Sequence, residues 1–262
     1  MTDLPKVLIT GASSGIGATY AERFAARGHH LVLVARRKER MAELAAVLSE
    51  KFGTQTDIIE ADLADTVGIE TVENRLRSDA TIGILVNNAG TTIPGHFVDQ
   101  TPGDIASLIA LNTTSVARLA NAVAPRFAQA GSGAIINIGS VVGLVPEFGQ
   151  SIYGATKAFV LYLSQALAAE LGPKGIYVQA VLPAATRTDI WASAGVDLAN
   201  LTGLMEVGDM VDAALVGFDR KEPVTIPPLP EAELWDAFQQ ARVALRPGFG
   251  NALPAARYRA TQ

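Results

Sequence analysis

The sequence contains no cysteine among its 262 residues. This absence excludes disulfide bonds, thiolate nucleophiles and cysteine-based zinc sites. Long apolar runs are also missing, since no run approaches the roughly 18 residues that a membrane-spanning helix needs. We therefore expect no membrane partner. The first residues carry no signal-peptide pattern, so a cytoplasmic location is expected.

Positive charge is not in excess either. The chain has 21 lysine and arginine residues against 26 aspartate and glutamate residues, which gives a formal net charge of -5. A basic surface for nucleic acid is therefore not expected. Hydrophobic residues make up 49% of the chain, and mean hydropathy is +0.25. This composition is too apolar for disorder, and the length fits one domain over 1–262.

Short β-branched runs alternate with longer amphipathic stretches. Seven runs predict strands: Lys6–Thr10, Leu31–Arg36, Thr56–Asp62, Ile82–Val86, Ala134–Ser140, Tyr177–Leu182 and Val224–Ile226. Helical periodicity predicts helices that include Met41–Phe52, Ala106–Gln129 and Tyr153–Leu171. Because the strands are apolar almost throughout, both faces of the sheet should be covered. The pattern predicts an α/β fold, a doubly wound parallel sheet with helices on both faces, as in the Rossmann fold.

Two segments interrupt this alternation. Residues 184–207 follow the sixth strand and are interpreted as a substrate loop. Within it, Trp191 and Met205 form either an apolar lid or part of the core. Residues 230–262 are interpreted as a C-terminal extension, with a helix over Glu231–Leu245. This extension is either a surface arm or a cover for a pocket or a subunit interface.

A glycine-rich turn separates the first strand from the first helix. Its spacing is Gly-x-x-x-Gly-x-Gly. Glycines permit a tight turn and a close approach of backbone to ligand, and the helix N-terminus that follows suits a pyrophosphate. We therefore predict dinucleotide binding, with a plain tight turn as the alternative. The expected cofactor contacts in the turn are Gly11, Ser13, Ser14, Gly15, Ile16 and Gly17.

The residues after the second strand bear on which dinucleotide is bound. Arg36 and Arg37 stand where NAD-binding folds usually carry a carboxylate. A guanidinium binds a 2′-phosphate through charge-assisted hydrogen bonds, so NADP(H) is favoured over NAD(H). The alternative is that the two arginines only solvate the next helix. Asp62 either accepts a hydrogen bond from adenine or belongs to the N-cap region of the following helix.

Polar residues follow the later strands as well. Asn87–Gly90 ends the fourth strand, Ser140 the fifth, and Pro183 begins a segment that reaches Thr188 after the sixth. Ligands bind at the carboxyl ends of the strands in open parallel sheets, so these residues should be neighbours.

One residue pair on a later helix suggests acid–base chemistry. Tyr153 and Lys157 are four residues apart and share a helix face. A neighbouring ammonium is expected to lower the phenol pKa toward a useful range.

These motifs together resemble the short-chain dehydrogenase/reductase family. The residues that carry the resemblance are Thr10–Gly17, Asn87–Gly90, Asn112, Ser140, Tyr153 and Lys157. The resemblance implies a catalytic set of Asn112, Ser140, Tyr153 and Lys157. It also implies cofactor contacts beyond the turn, at Arg36, Arg37, Asp62, Leu63, Asn88, Ala89, Gly90, Tyr153, Lys157, Pro183, Thr186 and Thr188. The chain departs from the family pattern at Ala184, where glycine is usual, and at Pro227–Pro230, where Asp-Gly-Gly is frequent.

The resemblance implies hydride exchange between NADP(H) and a carbonyl or alcohol substrate. In this scheme Ser140 polarises the carbonyl, Tyr153 transfers the proton, Lys157 lowers the tyrosine pKa and holds the nicotinamide ribose, and Asn112 supports a relay water. A non-catalytic NADP(H)-sensing or scaffold protein with the same fold is the alternative. Epimerisation or dehydration of a nucleotide sugar would need a separate substrate domain, for which the chain has little room.

The family also implies a homodimer or a homotetramer. Its two long helices would pack against their copies through apolar positions, which equally suit packing on the sheet. These positions are Leu108, Leu111, Leu119, Phe159, Leu163 and Leu167.

Phe97 and Phe148 are expected to line an apolar substrate side, and His96 is a candidate substrate contact. His29 and His30 are read as loop packing rather than as a metal site.

Overall fold

The computed structural model describes residues 4–193 and 202–259, which form two compact units. The first unit extends to Pro227 and the second begins at Pro228. The predicted substrate loop 184–207 is described except for 194–201, and the predicted C-terminal extension 230–262 is described as far as residue 259. Among the described helices, none combines the length and apolarity needed to cross a membrane.

A parallel sheet forms the centre of the first unit, with strand order β3-β2-β1-β4-β5-β6-β7. The strands are β1 Lys6–Thr10, β2 Leu31–Ala35, β3 Thr56–Glu60, β4 Ile82–Asn87, β5 Gly133–Ile138, β6 Ile176–Val181 and β7 Val224–Thr225. The predicted seven-stranded, doubly wound Rossmann fold is confirmed. Strand order reverses between β1 and β4, and this reversal opens a crevice at the carboxyl edge.

Eight helices of the first unit connect or follow the described strands. They are α1 Gly15–Ala26, α2 Lys38–Phe52, α3 Thr66–Ser78, α4 Pro102–Ile109, α5 Ser115–Ala130, α6 Ser151–Leu171, α7 Ile190–Ser193 and α8 Val207–Asp219. The prediction of one helix over Ala106–Gln129 was wrong. Helix α4 starts earlier because Thr101 caps it, accepting a hydrogen bond from Asp104 N at 3.2 Å. A π-helical turn, Ala110–Thr114, then separates α4 from α5.

Alternate residues of β1 enter two separate cores. Val7 and Ile9 face one core with Phe24 of α1, while Leu8 faces the other with Phe127 of α5. Burial on both faces explains why the central strands β1, β2 and β4 are almost continuously apolar.

The same packing separates the apolar helix positions that the sequence could not assign. Leu108 and Leu119 are fully buried, and Leu111 and Leu167 pack against the second core. Phe159 of α6 remains 40% exposed. Most of these positions therefore serve the fold of the single chain.

The second unit contains one α-helix within its described residues, α9 Ala232–Ala244. The helix matches the predicted Glu231–Leu245 to within a residue at each end. The rings of Trp235 and Phe238 stack with their centres 5.5 Å apart, and none of the helix residues is buried.

Candidate active site

A cleft of about 1170 Å³ opens at the carboxyl edge of the sheet. It is lined by the loops that follow β1, β2, β3, β4, β5 and β6 and by the first turns of α6. Of the site residues predicted from the sequence, all line this cleft except Gly17 and Asn112. Motifs that are far apart in sequence therefore meet in one place, as the strand-end argument predicts.

The glycine turn is shaped by close packing against the loop after β4. Gly11 and Gly15 both have positive φ angles, of 65° and 52°. A Cβ atom on Gly17 would lie 2.4 Å from the Gly11 carbonyl oxygen and 2.6 Å from Asn88 Nδ2. Asn88 Nδ2 donates to the Thr10 carbonyl at 2.8 Å. Gly17 therefore keeps the turn compact, while the residues before it face the cleft.

The start of α1 offers a set of hydrogen-bond donors to the cleft. Ser14 occupies the N-cap position and its side chain makes no capping hydrogen bond. The first backbone N–H groups of a helix have no partner within the helix. Together with the positive end of the helix dipole, such groups attract anions.

Arginines line the same cleft beside the glycine turn. The guanidinium of Arg37 donates to Ser13 Oγ at 3.0 Å and to Ser14 Oγ at 2.7 Å. Arg36 Nη1 lies 3.8 Å from Asp62 Oδ2. Arg40 also lines the cleft, and the sequence analysis missed it. Its position three residues after Arg37, at the start of α2, was the available signal, since such spacing places both side chains on one face.

Asp62 holds a turn in addition to lining the cleft. Its Oδ1 accepts a hydrogen bond from Ala64 N at 2.9 Å. The N-cap residue of α3 is Asp65, three residues after Asp62. Asp62 is therefore not itself the N-cap of this helix.

Ser140 lies two residues after the end of β5, with its hydroxyl near the catalytic tyrosine candidate. The residue is buried, and its Oγ donates to the Pro183 carbonyl at 3.3 Å and accepts from Val142 N at 3.2 Å. Ser140 also forms a hydrogen bond with the Tyr153 side chain, and this bond partly offsets the rise in the tyrosine pKa that burial causes. Ser140 therefore contacts both the β6 loop and the tyrosine.

Lys157 lies one helical turn beyond Tyr153 and is buried. Its Nζ donates to the Ile138 carbonyl at 3.0 Å and lies 5.6 Å from the centre of the Tyr153 ring. The ammonium thus covers the ring face, and a backbone carbonyl fixes its position.

The pKa of Tyr153 shifts upward, whereas the sequence led us to expect a downward shift. Burial raises the pKa of Tyr153 to about 12, although its hydrogen bond with Ser140 acts in the opposite direction. Burial also lowers the pKa of Lys157 to about 8. The i, i+4 spacing predicted the proximity, but desolvation dominates both groups in this structure.

Asn112 lies in the π-helical turn and is fully buried. Its side-chain amide pairs with the backbone of Thr91, accepting from Thr91 N at 3.0 Å and donating to Thr91 O at 2.9 Å. It also donates to Thr156 Oγ1 at 3.1 Å. Asn112 therefore joins the β4 loop to α6 next to Lys157, and does so by direct hydrogen bonds. Insertions of this kind in helices are frequent at functional sites.

Apolar and amide side chains line the part of the cleft beyond the tyrosine. They include Ile93, Val142, Phe148, Gln150 and Trp191. Trp191 Nε1 donates to the Thr186 carbonyl at 2.7 Å, which holds the indole at the cleft wall. Met205 packs against the first core, so it belongs to the core and not to an apolar lid.

Four further residues singled out in the sequence lie elsewhere. His96 and Phe97 are exposed and do not line the cleft. His29 Nδ1 lies 2.7 Å from the Pro5 carbonyl, and His30 Nδ1 accepts from Gln55 N at 3.1 Å. These backbone contacts support the packing interpretation of the histidine pair.

The fold and this cleft define a dinucleotide-binding domain with a serine, a tyrosine and a lysine beside the binding crevice. Comparison with known proteins refines this class. Residues 5–198 match the family described as short chain dehydrogenase. The chain therefore belongs to the short-chain dehydrogenase family.

Relatives of known sequence are found in vertebrates. The very-long-chain 3-oxoacyl-CoA reductase of Anas platyrhynchos is 37% identical over 183 residues, covering 67% of this chain and 58% of that protein. The protein of the same description from Homo sapiens is 37% identical over 180 residues, covering 67% and 57%. The match thus spans less than two thirds of the length of these relatives.

Solved structures resemble the chain over nearly its whole length. A short-chain dehydrogenase from Sphingobium yanoikuyae in complex with NADPH is 63% identical, covers 98% of this chain and 100% of that one, and has a TM-score of 0.96. The bulky-bulky ketone specific alcohol dehydrogenase from Comamonas testosteroni is 58% identical, covers 99% and 100%, and has a TM-score of 0.93.

Proposed function

We propose that this protein is an NADP(H)-dependent oxidoreductase that interconverts a carbonyl compound and an alcohol. The observation that carries the proposal is the convergence of Ser140, Tyr153 and Lys157 in one cleft with the glycine turn and Arg37. The proposal is supported by the similarity to a short-chain dehydrogenase that binds NADPH and to a ketone-specific alcohol dehydrogenase.

The residues present fit NADP(H). The glycine turn and the N-terminus of α1 would hold the pyrophosphate, and Arg36 and Arg37 would hold the 2′-phosphate. The hydroxyls of Ser13 and Ser14 already orient Arg37 toward this end of the cleft. No carboxylate takes the place of the two arginines after β2, so we propose a preference for NADP(H) over NAD(H).

Bound NADP(H) would supply or accept the hydride. Tyr153 would donate its phenolic proton to the substrate oxygen in reduction and accept it back in oxidation. With its pKa raised to about 12, the phenol is fully protonated at neutral pH and ready to donate. Ser140 Oγ would hydrogen-bond the same oxygen, and Lys157 would hold the nicotinamide ribose. Preplaced donors of this kind stabilise a developing alkoxide.

The substrate side favours a large apolar carbonyl compound. Phe148, Val142, Ile93 and Trp191 provide apolar walls beyond Tyr153, within a cleft of about 1170 Å³. Pockets with mostly apolar walls and a few fixed polar groups bind apolar ligands in a defined orientation. We therefore propose ketones with substantial apolar groups, or the matching secondary alcohols, as substrates.

A spectrophotometric assay tests the proposal. Oxidation of NADPH would be followed with aryl, cyclic and long-chain ketones, and NADH would be run in parallel. We expect turnover with bulky apolar ketones and a higher kcat/KM with NADPH. NADPH binding without turnover on any ketone would instead support the sensing alternative. Equal kcat/KM values with NADH would remove the cofactor preference.

We further propose a cytoplasmic homodimer or homotetramer. Phe159 and Tyr162 are 40% and 76% exposed on α6, and a second copy could cover them. Light scattering after size-exclusion chromatography tests this assembly, and a mass of one chain at micromolar concentration would contradict it.

A further inference from the structure

The carboxylate of Asp189 lies beside Arg37, one of the two arginines proposed to hold the 2′-phosphate, and beside Arg40. Asp189 Oδ2 lies 3.5 Å from Arg40 Nη1 and 4.0 Å from Arg37 Nη1. All three residues line the same cleft. Asp189 belongs to the segment after β6, far from α2 in sequence, so only the fold brings its carboxylate to the two guanidiniums.

The segment that carries Asp189 is held against the glycine turn. A Cβ atom on Gly15 would lie 3.3 Å from the Thr188 methyl carbon, so this residue crosses directly over the turn. On the far side, Thr186 forms a β-bridge with Met205. These contacts place Asp189 in the wall of the cleft next to the glycine turn.

Arg37 and Arg40 differ in their other contacts. Arg37 is fixed by the hydroxyls of Ser13 and Ser14. In the described part of the chain, the ion-pair partner of Arg40 is Asp189. Arg40 thus lines the cleft, and among the described residues its charge is compensated by the carboxylate of Asp189.

We infer that Arg40 and Arg37 together form the socket for the 2′-phosphate, and that Asp189 is an internal anion that competes with the phosphate for this socket. The inference rests on the proposed function. It adds Arg40 to the residues that determine cofactor choice, and it assigns Asp189 the opposite effect on affinity.

The geometry favours the phosphate in this competition. The Asp189 side chain is 67% exposed, and its contacts with the arginines are longer than charge-assisted hydrogen bonds of 2.7–2.9 Å. Exposed pairs of this kind are weak. A phosphate carries more charge and binds guanidinium groups bidentately, so it displaces the carboxylate. The displaced charge still opposes binding, because two anions near the same guanidiniums repel each other.

Binding of adenosine 2′,5′-bisphosphate, measured by isothermal titration calorimetry, tests the inference without turnover. Adenosine 5′-monophosphate is the reference ligand without the 2′-phosphate. We expect Asp189→Asn to tighten the bisphosphate about two- to five-fold, the range set by exposed ion pairs. Arg40→Gln should weaken it by at least a similar factor. Neither variant should change the affinity for the monophosphate by more than about two-fold.

A double-mutant cycle separates competition for the socket from general repulsion. In the Arg40→Gln background, Asp189→Asn should tighten the bisphosphate clearly less than it does in the wild-type protein. An equal effect in both backgrounds would overturn the competition. Weaker binding of the bisphosphate to Asp189→Asn would also overturn it, because Asp189 would then be positioning the arginines.

Glu206→Gln is the matched control. This variant removes one negative charge and breaks an ion pair of the same segment, Arg187 Nε to Glu206 Oε1 at 2.8 Å, without touching Arg37 or Arg40. It should leave the affinity for the bisphosphate unchanged, and tightening as large as that of Asp189→Asn would contradict the inference. If the wild-type protein binds both ligands equally, the proposed NADP(H) preference itself fails, which is a distinct result.

Discussion

The side-chain nitrogen of Lys157 lies 5.6 Å from the centre of the Tyr153 ring, one helical turn along α6. The lysine is held there by the Ile138 carbonyl, 3.0 Å from Nζ, rather than by the phenol oxygen. The ammonium therefore lies over the tyrosine ring and lines the same cleft, and burial dominates the pKa of both groups. This arrangement leaves the phenol protonated and facing the cleft, as a proton donor for reduction must be.

Replacement of Tyr153 by phenylalanine removes the phenolic proton and keeps the ring under Lys157. We expect kcat for ketone reduction to fall about 10²- to 10⁴-fold, the usual contribution of a general acid. The affinity for NADPH, measured by fluorescence titration, should change less than about two-fold. Tyr162→Phe on the exposed side of the same helix is the control and should retain activity. Retained full activity in Tyr153→Phe would remove Tyr153 from its role.

Substitution of Gly17 by alanine tests the packing of the glycine turn. The new methyl group would approach the Gly11 carbonyl and Asn88 Nδ2 far inside van der Waals contact, so the turn has to move. We expect a loss of about 1–3 kcal/mol in the free energy of unfolding and at least ten-fold weaker NADPH binding. Gly172→Ala provides the comparison, since nothing lies within 4 Å of its Cβ position. Normal NADPH binding by Gly17→Ala would show that the turn tolerates a side chain.

The buried lysine makes stability depend on pH. Burial lowers the pKa of Lys157 from 10.5 to about 8, so between these values the unfolded chain binds more protons than the folded one. The free energy of unfolding therefore rises with pH in this window, by about 2 kcal/mol between pH 8 and pH 10. Above pH 10, Tyr153 acts in the opposite sense, because its pKa is raised to about 12.

Urea unfolding at several pH values between 7.5 and 10 measures this effect. As pH rises through this window, the wild-type protein should gain stability relative to Lys157→Met. A gain as pH falls would show that the sign of the effect is wrong. Lys174→Met, at an exposed lysine, should follow the wild-type curve. A constant difference between wild type and Lys157→Met across the window would contradict the prediction.

The sequence predicted those features that depend on short-range patterns. The glycine spacing after β1 and the i, i+4 pair Tyr153 and Lys157 lie within single elements, so their geometry follows from local backbone rules. The continuously apolar strands predicted a sheet covered on both faces. Strand ends then placed Ser140 and Asn88 at the same edge, and the structure brings both to the cleft.

Other features depend on contacts between distant segments and could not be predicted in this way. Asp189 meets Arg40 only because the β6 loop crosses the glycine turn. The π-helical turn around Asn112 has no clear signature in a helical pattern and is stabilised by Thr91 and Thr156 from other elements. The predicted direction of the Tyr153 pKa shift was wrong, because the spacing of two residues gives their proximity but not their burial.

Glu73 of α3 offers a test of how the helices on one face of the sheet are joined. Its buried carboxylate accepts two hydrogen bonds from Arg118 of α5, Nε to Oε1 at 2.8 Å and Nη2 to Oε2 at 2.9 Å. We expect Glu73→Gln to lower the free energy of unfolding at pH 7 by about 1–3 kcal/mol, because a charged bidentate pair is lost from a buried position. Glu70→Gln is the matched control. Glu70 lies 3.9 Å from the same arginine with its side chain 56% exposed, so its loss should cost less than about 0.5 kcal/mol.

The pH dependence of stability shows whether the effect of Glu73→Gln comes from the lost charge. The hydrogen bonds from Arg118 hold the pKa of Glu73 below its ordinary value of 4.5. A carboxylate with a lowered pKa stabilises the folded state above its unfolded pKa, and this contribution is lost as pH falls through the folded value. The difference between wild type and Glu73→Gln, measured by urea unfolding, should therefore be constant from pH 6 to pH 8 and shrink below about pH 4.5. If the difference persists unchanged in acid, the variant acts through altered packing of α3 on α5, and the charge of Glu73 is not what joins the two helices.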